Sequence, residues 1–461
     1  MAWLLSCSPA AHAEGPGHAA EFTLPNGLKV VVRERHEEPL VAIDLWVRAG
    51  ARDESAAEAG AAHFLEHTLF KGTTTRRAGE ADAAIENLGA TLGAATGPDY
   101  ARFYTCVESE HAGEAMAVLA DVVCNPTLPA DEIERERAVI LSELAVRDSD
   151  PTALLIARLY ETLYAGDSYA RLPGGTAASI RARKREELLA FYRRTFGPRR
   201  STLVLVGDVT PDRAREIAAA AFGAWNAPGA EPIAANENGA SSRQGNKVVA
   251  ADRAAAVPPA VPAPPTVKAA DVSQPMIGVA ARGPAAPNVA DVCAAQVVAA
   301  ILGQSDLGGR LAAARLSQTA AAVIYAPRAE SSLFAITARA PGAAGSRARP
   351  GLAEAKALRQ AIEQVLDGLR ASPPTAAEVA AAKSALLGRA VFQNETDSGL
   401  AAAIGGAEIA GAPAPEAWRA AIEQVSVQSV RTFVVRWLDA GRRSALILMP
   451  RADGPDGDAA P

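Results

Sequence analysis

FYRRTFGPRRSTLVLVGD, Phe191–Asp208, returns later in the chain as VRTFVVRWLDAGRRSALILMP, Val430–Pro450. Each run reads as an amphipathic helix, a turn bearing Arg-Arg-Ser, and an apolar, β-rich strand. Arg199-Arg200-Ser201 corresponds to Arg442-Arg443-Ser444. A unit repeated across this distance argues for two domains of one fold. Between the copies, residues 227–270 are rich in Pro and Ala without periodicity, as in AAAVPPAVPAPPTV, and read as a semi-rigid linker. The expected layout is a leader over 1–19, a first domain over 20–226, the linker, a second domain over 271–453 and a tail over 454–461. A chain of 461 residues is too long for one ordinary core, which agrees with that division.

Within the first domain, strands are expected at Leu28–Arg33, Ala42–Val47, Ala101–Val107 and Leu203–Val206. Helices are expected at Ala57–Leu69, Glu80–Leu88, Gly113–Val123, Asp131–Val146, Thr152–Leu163 and Lys184–Thr195. This mixture predicts an α+β sandwich in each domain, a mostly antiparallel sheet with helices on one face. Aromatic residues are only 5% and alanine is abundant, which favours helices over aromatic-rich β-structure. Net charge is −6 and no basic cluster tracks along the chain, which argues against a nucleic-acid partner.

The chemistry concentrates at HFLEH, His63–His67, an H-x-x-E-H run. Two His four apart lie one turn apart on one helix face, so both imidazoles can reach one metal. Glu66 shares that face, placed to take a proton from water at the metal. Catalytic zinc takes a third protein ligand. DEIERERAVILSELAV, from Asp131, reads as an amphipathic helix on which Glu136 and Glu143 stand seven apart. One can ligate zinc while the other stands behind as acceptor for a ligand His. A solvated charged face accounts for the same spacing.

These motifs, HFLEHTLFKGT and ERERAVILSE above all, resemble the pitrilysin-type inverzincins, in the branch of the mitochondrial processing peptidase and its bacterial relatives. The resemblance extends over LPNGLKVVVRERHEEPLVAIDLWVRAGARDE and RRSTLVLVGDVTPDRAREIAAAAFGAW. It implies Zn2+ held by His63, His67 and Glu143, with Glu66 as general base and Glu136 as the supporting glutamate. It implies two domains facing each other as half of a clam shell, and a zinc endopeptidase acting on peptide or unfolded polypeptide. The chain departs from the family pattern at Gly93, where an Asn is usual, and at Asp167-Ser168-Tyr169, where His-Pro-Tyr is frequent. Family members also carry an Arg and, seven residues on, a Tyr in the non-catalytic domain. Here Ser317 follows Arg310 at that distance, Ala322 follows Arg315, and Tyr325 lies ten beyond Arg315. A homologous subunit is therefore expected to complete the substrate chamber, as a heterodimer first and a homodimer second. Two other functions compete: a structural or assembly subunit, and a maturation protease for a single peptide precursor, such as that of a redox cofactor.

No His follows His111, so a second site of the same kind is excluded from the second domain. GQSDLGGRLAAAR, from Gly303, lacks the G-K-[ST] of a phosphate loop and is expected as a strand-to-helix turn. Cys106, Cys124 and Cys293 show no metal spacing and read as core residues. MAWLLSCSPAAHAEG has an apolar stretch and then Ala11-His12-Ala13, a small-x-small cleavage pattern. Export to the periplasm is expected, with lipid anchoring through Cys7 or a cytosolic tail as the alternatives. No stretch has the length of a membrane span.

Overall fold

The structure is a computed structural model that describes residues 19–226, 266–304, 321–340 and 351–451. The expected leader apart from Ala19, which begins a strand, most of the linker and the tail lie outside the described residues, as do Arg310, Arg315 and Ser317.

In the first half, strands β1 (Ala19–Thr23), β2 (Lys29–Glu34) and β3 (Leu40–Val47) precede helices α1 (Ala61–Leu69) and α2 (Glu80–Glu86). Strands β4 (Gly93–Thr96) and β5 (Ala101–Glu108) follow, then helices α3 (Ala112–Cys124), α4 (Ala130–Ser149), α5 (Pro151–Leu163), α6 (Ala177–Ala182) and α7 (Arg185–Thr195). Strand β6 (Ser201–Gly207) and helix α8 (Pro211–Phe222) close the half. The second half runs β7 (Thr266–Ala270), β8 (Met276–Gly283), α9 (Val289–Gln304), β9 (Ala322–Ala326) and β10 (Ser332–Arg339). It then continues through α10 (Leu352–Ala371), α11 (Ala376–Gln393), α12 (Asp397–Ala410), α13 (Pro415–Glu423), α14 (Val427–Trp437) and β11 (Arg443–Pro450).

The two sheets have one topology. The first is ordered β1-β2-β6-β3-β5-β4 and the second β7-β11-β8-β10-β9. In each, the first strand of the shared five pairs parallel with the last, β2 with β6 and β7 with β11, and the other pairings are antiparallel. The repeated helix–turn–strand units become α7–β6 and α14–β11. Their turn arginines do similar work: Arg200 donates to Arg48 O, and buried Arg443 donates to Leu438 O at 2.8 Å.

Thr266–Ala270 is a strand rather than the end of a linker. In TVKAA, Val267, Lys268 and Ala269 are exposed, and the strand earns its conformation by pairing with Leu446–Pro450, a long-range contact that local composition hides. Helices also cover both faces of each sheet. The inner face of the first sheet packs on α1, α3, α7 and α8, through residues such as Phe103, Leu203, Phe64 and Phe191. Its outer face, with Val31, Trp46 and Val204, is covered by Ala401, Ile404 and Ile409 of α12 from the second half. Reciprocally, Leu155, Leu159 and Leu163 of α5 cover Met276, Leu333 and Leu446 of the second sheet. α5 and α12 occupy equivalent places in the repeat, so the halves exchange one helix each. Polar ties hold α12 in place: Lys29–Glu408 at 2.8 Å, Arg35–Asp397 at 3.1 Å, and Arg48 donating to Glu408 O. Each fully buried Leu or Ile in these covers contributes about 1.5–3 kcal/mol, so neither half is complete without the other's helix.

Gly303 lies in the last turn of α9, so the expected strand-to-helix turn does not start there; residues 305–320 lie outside the description. Cys293 is buried, and Cys106 and Cys124 are half-buried free thiols. Among the described residues no helix is long and apolar enough to cross a membrane.

Candidate metal centre

α1 begins at Ala61 rather than Ala57 because Gly60, at φ +87°, breaks the preceding turn. A Cβ there would meet Ile180 Cδ1 at 2.7 Å, so the position favours glycine both by conformation and by space. The first amides of α1 are capped from a distance. Glu54, 3% exposed, accepts from Gly60 N and Ala62 N, each at 2.9 Å. Burial pushes its carboxyl up to about 7, against the pull of those two donors. Arg183, also buried, donates to Ala57 O and Ala59 O and ties down the same approach. Phe64, Leu65 and Leu69 then anchor the apolar face of α1 in the core, which turns His63 and His67 together toward α4.

α4 carries Glu136 and Glu143 two turns apart. Ile133, Ile140 and Leu144 bury its inner face, leaving Glu136 at 8% exposure and the Glu143 side chain at 49%. Glu143 Oε2 lies 3.7 Å from His63 Nε2 and 3.4 Å from His67 Nε2. Glu136 Oε2 instead takes the opposite nitrogen of His67, Nδ1, at 3.0 Å, while its Oε1 pairs with Lys71 Nζ at 3.2 Å. The two acids that spacing left equivalent therefore face different atoms. Glu143 converges on both Nε2 atoms, and Glu136 backs one ring from behind.

The donor set suits zinc. Bonds of about 2.0–2.1 Å in a tetrahedron hold ligand atoms about 3.3 Å apart. The observed separations of 3.4 and 3.7 Å are close to that edge and too long for hydrogen bonds. His63 is held neutral: burial, then His67 and Arg147, bring it down to about 4, although Glu143 lies near. A neutral imidazole keeps the lone pair that a metal requires. Its Nδ1 is buried without a hydrogen-bond partner, against Gly174. Among the described residues, one other grouping, Glu108, Glu110 and His111, brings metal-type donors as close, and it is a solvated acidic corner.

Glu66 points beside this centre. Thr96, the last residue of β4, donates its hydroxyl to Glu66 Oε2 at 2.5 Å. Burial raises the Glu66 carboxyl, opposed by that hydrogen bond. Glu54 and Thr96 were not singled out from sequence. Thr96 stands next to Gly97, whereas Glu54 has no glycine beside it and carries no comparable local signal. At Gly93 a Cβ would meet Tyr104 Cζ at 2.5 Å, so the phenol fills the room an Asn side chain would need. The Arg102 guanidinium stacks 4.2 Å over that ring. Tyr169, the remnant of the expected His-Pro-Tyr, is buried and donates to Asp99.

Comparison with known proteins matches the chain to a family of peptidases. The family described as insulinase (peptidase family M16) matches residues 29–176, and the peptidase M16 inactive domain matches 184–386. The chain is 36% identical over 212 residues to an uncharacterized zinc protease of Mycobacterium bovis, covering 46% of this chain and 48% of that protein. It is 34% identical over 200 residues to the mitochondrial-processing peptidase subunit beta of Bos taurus, covering 43% of this chain and 41% of that one. The matches thus span about half the length of the curated relatives. A protease from Helicobacter pylori superposes with a TM-score of 0.79 at 21% identity, over 94% of this chain and 100% of the other. A putative M16-like peptidase from Alicyclobacillus acidocaldarius gives 0.76 at 18%, over 95% and 99%. Those two likenesses are of fold.

Proposed function

We propose that this chain, which belongs to peptidase family M16, is a zinc-dependent endopeptidase whose catalytic centre lies in its first half. The observation that carries the proposal is the convergence of His63 Nε2, His67 Nε2 and Glu143 Oε2, with Glu66 beside them. Zinc proteases among the relatives support the choice of metal.

His63, His67 and Glu143 would hold the ion. Zinc in such a set supplies Lewis acidity, which sharpens the acidity of water and polarises a peptide carbonyl. Glu66 is the proton acceptor: its carboxylate takes a proton from the attacking water and delivers it to the departing amine nitrogen. Its raised pKa suits both halves of that exchange. Glu136 keeps the His67 ring oriented by accepting from Nδ1, so that Nε2 faces the centre. β4 is the last described strand on its side of the sheet and ends at Thr96 beside Glu66. An extended peptide added along that edge brings its backbone past the centre, through main-chain hydrogen bonds more than side-chain pockets. That mode suits peptides and unfolded polypeptide.

A homologous subunit, in a heterodimer before a homodimer, is the partner proposed to complete the substrate chamber. Support comes from the missing Arg–Tyr spacing around Arg315 and from a relative that is by name a subunit. The test is hydrolysis of an unstructured peptide by the purified chain, before and after chelation and with a purified homologue added. Activity lost with chelator and restored by one zinc per chain supports the reading. Turnover that survives complete metal removal refutes it.

A further inference from the structure

The turn between β4 and β5 is gripped from both halves of the molecule. Ala51 N donates to Gly97 O and Arg52 N to Pro98 O, at 3.3 and 3.0 Å. A Cβ on Gly50 would lie 2.4 Å from Pro98 O, so the loops meet backbone to backbone. In the turn, Asp99 is 7% exposed. Its Oδ1 accepts from Tyr169 Oη at 2.6 Å and from Arg52 Nη1 at 3.1 Å. Its Oδ2 accepts from Ala329 N at 3.2 Å, and Tyr169 Oη accepts from Glu330 N at 3.2 Å. Ala329 and Glu330 belong to the β9–β10 turn of the second half. Beside them the Arg328 guanidinium lies 4.2 Å over the ring of Tyr160 and 5.4 Å over Tyr169.

Three residues before Asp99 stands Thr96, whose hydroxyl holds Glu66. We infer that Thr96 and Asp99 are positioning residues for Glu66, and that the zinc-free half sets the geometry of the proton acceptor by docking its β9–β10 turn onto Asp99. The terminal torsion of a Glu side chain is broad, so one strong donor decides where its carboxylate plane lies. That donor ends a four-residue strand that, among the described residues, is paired on one side only, to β5. The buried Asp99 carboxylate, satisfied by donors from both halves, supplies the rigidity. This rests on the peptidase reading and gives the second half a part in catalysis without any ligand of its own.

Steady-state kinetics, zinc content and melting temperature of Thr96→Val, Thr96→Ser, Asp99→Asn and Arg328→Ala test it. Thr96→Val keeps the shape and removes the donor, so kcat falls about tenfold or more while KM and zinc content hold. Thr96→Ser, which restores a hydroxyl, recovers most of that loss. Asp99→Asn and Arg328→Ala lower kcat in the same direction, again at unchanged KM and zinc. Wild-type turnover in Thr96→Val, in a series where Glu66→Gln is inactive, overturns the role of Thr96. If Asp99→Asn and Arg328→Ala lower only the melting temperature, the contact is structural and the second half has no such part. Normal turnover in Glu66→Gln is a separate result, which removes the peptidase reading beneath the inference.

Discussion

Replacing Glu136 should weaken zinc binding without removing a ligand. Its carboxylate is 3.0 Å from His67 Nδ1 and 3.2 Å from Lys71 Nζ. Glu136→Gln keeps an acceptor for the Nδ1 proton but deletes the negative charge behind the ring. Glu136→Ala deletes both and leaves the ring free to turn. Loss of such an outer partner costs about 10–100-fold in metal affinity, or about 1.4–2.7 kcal/mol. Gln belongs near the lower end of that range and Ala near the upper, because Ala also frees the orientation. Lys71 adds to the effect, since without its partner it becomes a cation close to a dication. The assay is competition for zinc between the metal-free protein and a chromophoric chelator, with peptide turnover measured at saturating zinc. Turnover at saturation should largely recover. Wild-type zinc affinity in Glu136→Ala refutes the assignment of Glu136 as the residue that orients His67.

The helix exchange makes Ile404→Ala, in α12, and Leu159→Ala, in α5, each cost about 2–5 kcal/mol, although each lies in the half opposite the sheet it covers. Denaturation followed by a probe in each half should show both transitions moving together, and independent transitions would contradict the exchange. Glu54 has a folded pKa of about 7 against 4.5 unfolded, so the folded state holds its proton where the unfolded state has released it. Stability from this group is therefore present below about pH 4.5 and is lost as pH rises toward 7, by up to about 3 kcal/mol. Metal-free Glu54→Gln should lose that part of the slope, and an unchanged difference between pH 5 and pH 8 would count against it.

Local periodicity was enough to read much of the fold and the heart of the site. His63 and His67 share a face because a helix turns every 3.6 residues, and the Arg-Arg-Ser turns recur at positions where Arg200 and Arg443 both hold backbone carbonyls. The roles of Glu136 and Glu143 were open on spacing alone and came from family resemblance, since which nitrogen each acid faces is a matter of tertiary packing. Amphipathic patterns in α5 and α12 announce that something is covered, but not that it is the other half's sheet. Thr96, Glu54 and Asp99 act on partners between 6 and 230 positions away, with no periodic signature. β7 was hidden for the same reason: its conformation depends on β11, nearly the whole second half away.

Glu66→Gln and Glu143→Gln, measured side by side for zinc per chain and for peptide hydrolysis, test the assignment of the centre most directly. Glu66→Gln should retain one zinc and lose hydrolysis, because a proton acceptor is not a ligand. Glu143→Gln should bind zinc poorly. Loss of zinc from Glu66→Gln with retention in Glu143→Gln would reverse the two roles and contradict the centre described here.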